Sequence, residues 1–135
     1  MSQNVLSQIH ELLANRRYAV TETSESGLRI QEVDSGLSLH ANLQGEILFF
    51  SMVCATVPTE KITAAVMHKM LDAGSGISTS HFQLNNGNGH TTVTLNNFCK
   101  LQEMGPDDED DILSCVSFLL TDVLHARDLL ASDLL

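Results

Sequence analysis

The chain of 135 residues has the usual length of one domain, and its 43% hydrophobic and 18% charged residues are typical of a folded globule rather than a disordered polypeptide. Its 17 acidic residues outnumber the 7 basic ones, so the formal charge is −10. This excess argues against binding to nucleic acid or anionic lipid, because their phosphates would be repelled. We expect one domain over residues 1–135.

Targeting signals and cysteine usage predict a cytoplasmic protein. The N-terminal segment has no basic region followed by an apolar stretch of signal length, and no run approaches the ~18 apolar residues of a membrane helix. We therefore expect no membrane insertion. The three cysteines lack C-x-x-C spacing and lie beside apolar residues, which indicates reduced, mostly buried thiols (Cys54, Cys99 and Cys115).

The first predicted elements are a helix and a three-stranded meander. Apolar residues at helical spacing predict an amphipathic helix over residues 3–15. From Gly27 the apolar period changes to two, which predicts two antiparallel strands separated by a turn at residues 34–36. Residues 44–45 mark a second turn. The almost wholly apolar run 47–55 then predicts a third, central strand.

A short second helix is predicted after the meander. Its apolar stripe covers residues 62–70, and the glycines of segment 74–76 stop it. A long closing helix is predicted from Pro106, where five acidic residues precede an apolar stripe that reaches Leu124.

The segment between these two helices predicts a hairpin. Residues 85–89 contain two Asn-Gly turn signals, with alternating residues on both sides. Centring the turn on Gly87 places His90 opposite Leu84. The whole order is helix, three strands, helix, two strands, helix. It predicts an α+β fold in which helices pack on an antiparallel sheet.

The five consecutive acidic residues from Asp107 to Asp111 have the charge of a cation site but not its spacing. Calcium loops alternate their ligands with other residues and have a glycine at the bend. Consecutive carboxylates on a helix point in different directions. In a first helical turn, acidic side chains complement the helix dipole and cap free N–H groups. We therefore interpret the run as a helix start.

The other residue patterns predict no catalytic group, cofactor or metal. None of the six histidines is three or four residues from another, as paired ligands on a helix would be. The cysteines lie in apolar patterns without a partner base. Segment 74–76 follows a helix and precedes a strand, which reverses the order of a phosphate-binding loop. One tyrosine, five phenylalanines and no tryptophan do not indicate a nucleic-acid stacking platform.

The element order, the acidic composition and the long closing helix resemble the type III secretion chaperones, the Tir-chaperone-like family. The resemblance spans nearly the whole chain. It is carried by the helix with Leu6, Ile9 and Leu13, the meander from Leu28 to Ala55, the helix from Ile62 to Met70, the hairpin around Asn86-Gly87, and the segment from Asp107 to Leu130. The chain also resembles YjfI-like cytoplasmic bacterial proteins of unassigned function.

The resemblance implies a homodimer without enzymatic activity. Such a protein binds an extended segment of a client protein across hydrophobic surface and keeps it competent for export. The family has no catalytic residues to transfer. The polar hairpin departs from this pattern, which places a client groove elsewhere.

Our leading hypothesis is a chaperone-like, protein-binding module. The chain has more apolar residues than so small a domain needs to bury, and a client strand or helix can dock against the surplus. The candidate positions lie on the meander and the first helix: Leu6, Ile9, Leu28, Ile30, Leu37 and Leu39. Equally, the surplus can fill an ordinary core or a dimer interface.

Two alternatives belong to other classes of function. The first is a cytoplasmic regulatory or structural dimer without a peptide client, with a membrane-stress or envelope protein as a conceivable partner. The second is a small enzyme that uses Cys99 or a histidine. For that enzyme, neighbouring residues supply no base, orienting group or oxyanion device.

Overall fold

The computed structural model describes residues 2–134 and has an α+β fold. Its helices are α1 (Ser2–Ala14), α2 (Ala64–Leu71) and α3 (Pro106–Leu134). Its strands are β1 (Tyr18–Glu22), β2 (Gly27–Glu32), β3 (Ser38–Gln44), β4 (Ile47–Pro58), β5 (His81–Gly87) and β6 (His90–Lys100). The strands form an antiparallel sheet in the order β1-β2-β3-β4-β6-β5. This confirms the predicted fold class and order of elements.

The structure adds one strand, β1, that the sequence did not predict. Tyr18 pairs with Glu32 and Val20 with Ile30, so β1 extends the meander at its outer edge. None of its five residues is fully buried. A strand at a sheet edge has only a weak apolar period, and its conformation depends on hydrogen bonds to the neighbouring strand.

The backbone divides into two compact units. Unit 1 contains the residues up to Ser51 together with Asn97–Ser117, and unit 2 contains Met52–Asn96 together with the residues from Phe118 onward. In unit 1, strict alternation along the meander buries every second side chain. Leu28, Ile30 and Leu39 are completely buried, and Ile30 lies directly opposite Leu39.

In unit 2, side-chain hydrogen bonds fix both ends of α2. The helix begins after Thr63, whose Oγ1 accepts a hydrogen bond from the backbone N–H of Val66 at 3.2 Å. Near its end, Lys69 Nζ lies 2.6 Å from Asp133 Oδ2 and donates to the carbonyl oxygen of Leu129 at 3.3 Å. This lysine therefore joins the last turn of α2 to the last turns of α3.

The β5–β6 hairpin turns at Asn88 and Gly89, and not around Gly87 as the sequence predicted. Both have positive φ, 49° and 79°, as a two-residue type I′ turn requires. The second Asn-Gly pair thus forms the turn, while Gly87 pairs with His90 and Leu84 with Val93. The predicted pairing of His90 with Leu84 is therefore wrong. The sequence contains two adjacent Asn-Gly turn signals, and the structure uses the second one.

The closing helix α3 is 29 residues long. In unit 1 it buries Ile112 and Val116 completely, and in unit 2 it buries Leu119 and Val123 completely. These positions follow the predicted apolar stripe. Across residues 2–134, no helix has both the length and the apolar character needed to cross a membrane.

Candidate protein-binding surfaces

The structure places five of the six predicted protein-binding residues in the core. Leu6, Ile9, Leu28, Ile30 and Leu39 have exposed fractions between 0% and 2%. Side chains buried to this degree contact their own core and present no area to a partner unless the fold opens. The sequence analysis did not foresee this burial, because the same apolar periodicity marks a core face and a docking face.

Leu37 is the exception among the six, because it is half-buried immediately before β3. Its backbone is held by the turn that precedes it. The Leu37 carbonyl accepts a hydrogen bond from Glu32 N at 2.9 Å, and its N–H donates to Ser35 Oγ at 3.2 Å. Leu37 therefore keeps some accessible surface, although its backbone is fixed.

Unit 1 also has apolar side chains on the face of its sheet that points away from the buried core. In β4, Leu48 and Phe50 are buried, whereas Phe49 between them is exposed. In β6, the side chain of Asn97 points toward α3 and donates to the carbonyl oxygen of Cys115 at 3.0 Å. Phe98 follows Asn97 and points the other way, because side chains alternate along a strand. We call this side of unit 1 the uncovered face.

The two aromatic rings of the uncovered face contact each other. The ring centroids of Phe49 and Phe98 are 5.9 Å apart, with the planes tilted by 49°. Phe49 is 38% and Phe98 58% exposed. The chain has only five phenylalanines, one tyrosine and no tryptophan. Two of its few aromatic residues therefore form an exposed pair, and such pairs are common anchors in protein interfaces.

The uncovered face carries cationic and neutral polar groups around this pair. In the described strands of unit 1, no outward-pointing position has a carboxylate. These positions are Ala19, Thr21, Arg29, Gln31, Ser38, His40, Asn42, Gln44, Ile47, Phe49, Ser51, Phe98 and Lys100. Glu46, in the β3–β4 turn, lies 3.8 Å from Lys100. For a chain with 17 acidic residues, this distribution of charge is strongly uneven.

In unit 2, one accessible feature is the backbone of an edge strand, β5, which lies apart from single exposed apolar side chains such as Leu71 and Leu124. β5 pairs with β6 over seven consecutive residue pairs, from His81 with Asn96 to Gly87 with His90. On its other side, no strand among residues 2–134 pairs with it. Its seven residues, HFQLNNG, include no proline, lysine or acidic residue. Natural edge strands usually carry such residues as protection against pairing with another chain.

The cysteines are buried, as predicted. Burial raises the pKa of Cys54 to about 11, against the opposing effect of the Arg127 guanidinium. The thiol of Cys99 shares a hydrogen bond with that of Cys115, and this bond together with burial raises the pKa of Cys99. A raised pKa keeps a thiol protonated and poorly nucleophilic at neutral pH, which is typical of structural cysteines. The same hydrogen bond lowers the pKa of Cys115.

Two buried carboxylates organise loops. Asp108, in the predicted acidic run, accepts a hydrogen bond from the backbone N–H of Gln102 at 2.7 Å. In unit 2, Asp122 Oδ2 accepts from Thr79 Oγ1 at 2.6 Å and from Ser80 Oγ at 2.8 Å. The second contact was not predicted, because a single aspartate in an apolar helical stripe gives no sign of its partners. Both carboxylates fix the chain that enters or leaves a strand.

The part of the chain that the structure describes brings no three His, Cys, Asp or Glu side chains together as metal ligands. His10 Nδ1 lies 3.9 Å from Glu22 Oε1, and both groups are substantially exposed. Such a contact contributes little. The expectation of no metal, cofactor or catalytic residue stays a prediction.

No family model matches the chain, and no curated protein sequence matches it either. Among solved structures, the fold is similar to the crystal structure of YbjN, a candidate transcription regulator from E. coli. The TM-score is 0.70 at 11% sequence identity, and the similarity covers 96% of this chain and 93% of that one. At this identity the likeness shows a shared fold, and functions differ widely among proteins of one fold.

Proposed function

We propose that this protein is a non-enzymatic protein-binding module that holds an extended, acidic segment of a client protein on the uncovered face of unit 1. The exposed pair of Phe49 and Phe98 is the observation that carries this proposal. It replaces the docking positions expected from the sequence, five of which belong to the core. The proposal keeps the predicted type of partner and moves its binding site to the other side of the sheet.

Aromatic side chains are effective anchors because each presents a large apolar area with few rotatable bonds. A client side chain that packs across the exposed sides of Phe49 and Phe98 would remove both rings from water. The surrounding amide and hydroxyl groups, Asn42 and Ser51 among them, can bond a client backbone. This combination of an apolar centre and a polar rim is typical of protein interfaces.

Charge supports an acidic client. Arg29 and Lys100 lie on the uncovered face, and the described strands of unit 1 place no carboxylate there, although Glu46 of the β3–β4 turn lies 3.8 Å from Lys100. A client carboxylate would approach the one side of unit 1 where strand residues do not repel it. Arg29 already donates to Ser38 Oγ at 3.0 Å, which holds its guanidinium over the face. We therefore expect binding to weaken as the salt concentration rises.

The test begins with short unstructured peptides selected for binding to the full chain. Dissociation constants are then measured for a selected peptide and for its variant with Asp and Glu replaced by Asn and Gln. We expect Phe49→Ser and Phe98→Ser each to weaken binding by about tenfold or more, since a buried aromatic anchor contributes over ~1.4 kcal/mol. Neutralising the peptide should also weaken binding.

The matched control is Phe118→Ser. Phe118 lies on α3 in unit 2 and is 44% exposed, close to the values for the aromatic pair. Its replacement should leave peptide affinity unchanged. The proposal is contradicted if all three variants bind equally well, or if the neutral peptide binds as tightly as the acidic one.

A single-stranded oligonucleotide is a necessary comparison. Aromatic residues on an antiparallel sheet can also stack nucleic-acid bases. The formal charge of −10 opposes a nucleic acid, which carries a phosphate at every nucleotide, more strongly than a peptide whose carboxylates are separated by neutral residues, so a protein client is the better-supported partner. Tight oligonucleotide binding that depends on Phe49 and Phe98 would overturn the choice of client.

A more specific version of this proposal is that the protein acts as a type III secretion chaperone. In that case the client is an exported protein and the complex forms in the cytoplasm. We would expect a deletion of this chain to reduce export of the client, with Phe98→Ser giving the same loss at normal protein levels. The regulatory or structural dimer remains the alternative, and it is supported by a different feature, the edge of β5.

A further inference from the structure

The exposed edge of β5 has backbone groups in a defined pattern. Asn88 and Gly89 form a two-residue turn, so Gly87 and His90 are the hydrogen-bonded pair that closes it. Hydrogen-bonded and non-hydrogen-bonded pairs then alternate along an antiparallel ladder. The backbone groups of the odd-numbered β5 residues therefore face β6. Those of Phe82, Leu84 and Asn86 face away from the sheet.

The residues at this edge are self-complementary. If a second β5 approaches antiparallel with Gln83 at the two-fold axis, Phe82 of each strand lies opposite Leu84 of the other. Phe82 and Leu84 are both half-buried, and both have outward-facing backbone groups. About four backbone hydrogen bonds would join the two strands at these positions. On the other face, Gln83 lies opposite Gln83 and His81 opposite Asn85.

We infer that β5 pairs antiparallel with β5 of a second copy of this chain, in the register that places Gln83 opposite Gln83. This register gives two apolar cross-strand pairs on one face and amide or imidazole pairs on the other. An isologous contact of this kind closes on itself and forms a dimer rather than a fibre.

The local charge is compatible with a second copy at this edge. Two chains of charge −10 repel each other at long range, and a contact that avoids acidic residues adds no local repulsion. β5 has no acidic or lysine side chain, and the paired part of β6, from His90 to Asn96, has none either. The hairpin is therefore a place where two acidic copies can meet without opposed carboxylates. Its polarity is no obstacle, because main-chain hydrogen bonds supply much of the contact.

The test is a charge exchange at Gln83. In the inferred register Gln83 forms a non-hydrogen-bonded pair, in which facing side chains are closest. Gln83→Lys and Gln83→Glu each place two like charges opposite each other. We expect each variant alone to associate roughly five- to tenfold more weakly than the unmodified chain. An equal mixture of the two should form heterodimers at least as well as the unmodified chain forms dimers.

Gln44 provides the matched control. It is an exposed glutamine at the end of β3, on an interior strand of the sheet. Gln44→Lys, Gln44→Glu and their mixture should all associate like the unmodified chain. Sedimentation velocity over a range of concentrations measures each dissociation constant. A chain that stays monomeric at every concentration, or a dimer insensitive to both Gln83 variants, would overturn the inference.

Amide hydrogen exchange of the unmodified chain gives a readout that needs no variant. The amides of Phe82 and Leu84 should exchange more slowly as protein concentration rises. Those of Gln83 and Asn85 bond to β6 in the monomer and should change little. If the amides of Phe82 and Leu84 become protected only when a client peptide is added, the edge binds a foreign strand and the inference is wrong. The client-binding proposal is tested separately, because it depends on Phe49 and Phe98.

Discussion

The two faces of the sheet in unit 1 are made by alternate residues of the same strands, yet they differ completely in chemistry. Toward the helices, Leu39 and Phe50 are buried among other apolar side chains. Outward, His40 and Phe49 of the same strands are exposed. One residue along a strand thus separates a core position from a surface position. The apolar content of a strand alone therefore does not distinguish its core positions from its binding positions.

The outward side of unit 2 differs again. Its exposed strand residues include Thr56, His81, Gln83 and Asn85, with no charged carboxylate or ammonium group among its described strands. Thr56 Oγ1 lies 3.3 Å from Thr92 Oγ1 on this side. Unit 1 therefore offers a contacting pair of exposed aromatic rings to a partner, and unit 2 offers the backbone of β5. Four predictions test these differences, from the largest expected effect to the smallest.

The largest expected effect is the difference in stability between Leu39→Asp, on the buried face of β3, and His40→Asp, on its exposed face. Leu39 is completely buried, so an aspartate there would place an unpaired carboxylate in the core and cost about 4 kcal/mol or more. The same change at the exposed His40 should cost within about 0.5 kcal/mol. Urea unfolding followed by circular dichroism measures both. A cooperative, near-normal transition for Leu39→Asp would show that the assignment of faces is wrong.

In unit 2, we expect Asp122 to contribute more to the free energy of unfolding than any exposed acidic residue of α3. Asp122→Ala removes the acceptor of the Thr79 and Ser80 hydroxyls just before β5, and charged hydrogen bonds of this kind predict a loss of about 3 kcal/mol. Asp128→Ala makes the same change of charge at an exposed position of the same helix. Its cost should be small. Equal unfolding midpoints for the two variants would disprove the anchoring role of Asp122.

The aromatic pair should be coupled only modestly. A double-mutant cycle with Phe49→Ala and Phe98→Ala should give a coupling free energy of about 0.5–1.5 kcal/mol, as measured for other aromatic pairs. Equilibrium unfolding of the unmodified chain, the two single variants and the double variant gives this coupling free energy. Coupling indistinguishable from zero would mean that the two rings contribute to the surface separately.

The smallest effect concerns Cys54 and alkaline pH. Its pKa is raised from 9.0 to about 11 in the folded chain, so the unfolded chain ionises first as the pH rises. The stability due to the protonated thiol is complete below pH 9 and is lost as the pH rises through about 11. Cys54→Ala should show a shallower decline over this interval. Identical pH profiles for the two proteins would contradict the raised pKa.

The sequence predicted the elements with strong periodicity and failed where signals were weak or duplicated. The helix containing Ile9, the meander and α3 have long apolar stripes, and each was found. The edge strand β1 was missed because no residue of it is fully buried. The hairpin was predicted, but two Asn-Gly pairs competed for the turn, and the positive φ of Asn88 shows which one forms it.

The candidate site was less predictable than the fold. Leu28 and Ile30 were selected as binding positions because alternation identifies a buried face without saying what buries it. Phe49 lay within an almost wholly apolar run, so nothing in the sequence distinguished it from Leu48 or Phe50. Only the pairing of strands brought Phe49 and Phe98 together across 49 positions of the chain.

The sequence by itself determined the fold class, the acidic character and the order of the strongly periodic elements, because propensity and periodicity are local properties. The tertiary structure decided which apolar residues stay in contact with water and which strand has a free edge. Those outcomes depend on which segments cover one another, and that coverage is set by contacts between residues far apart in the chain.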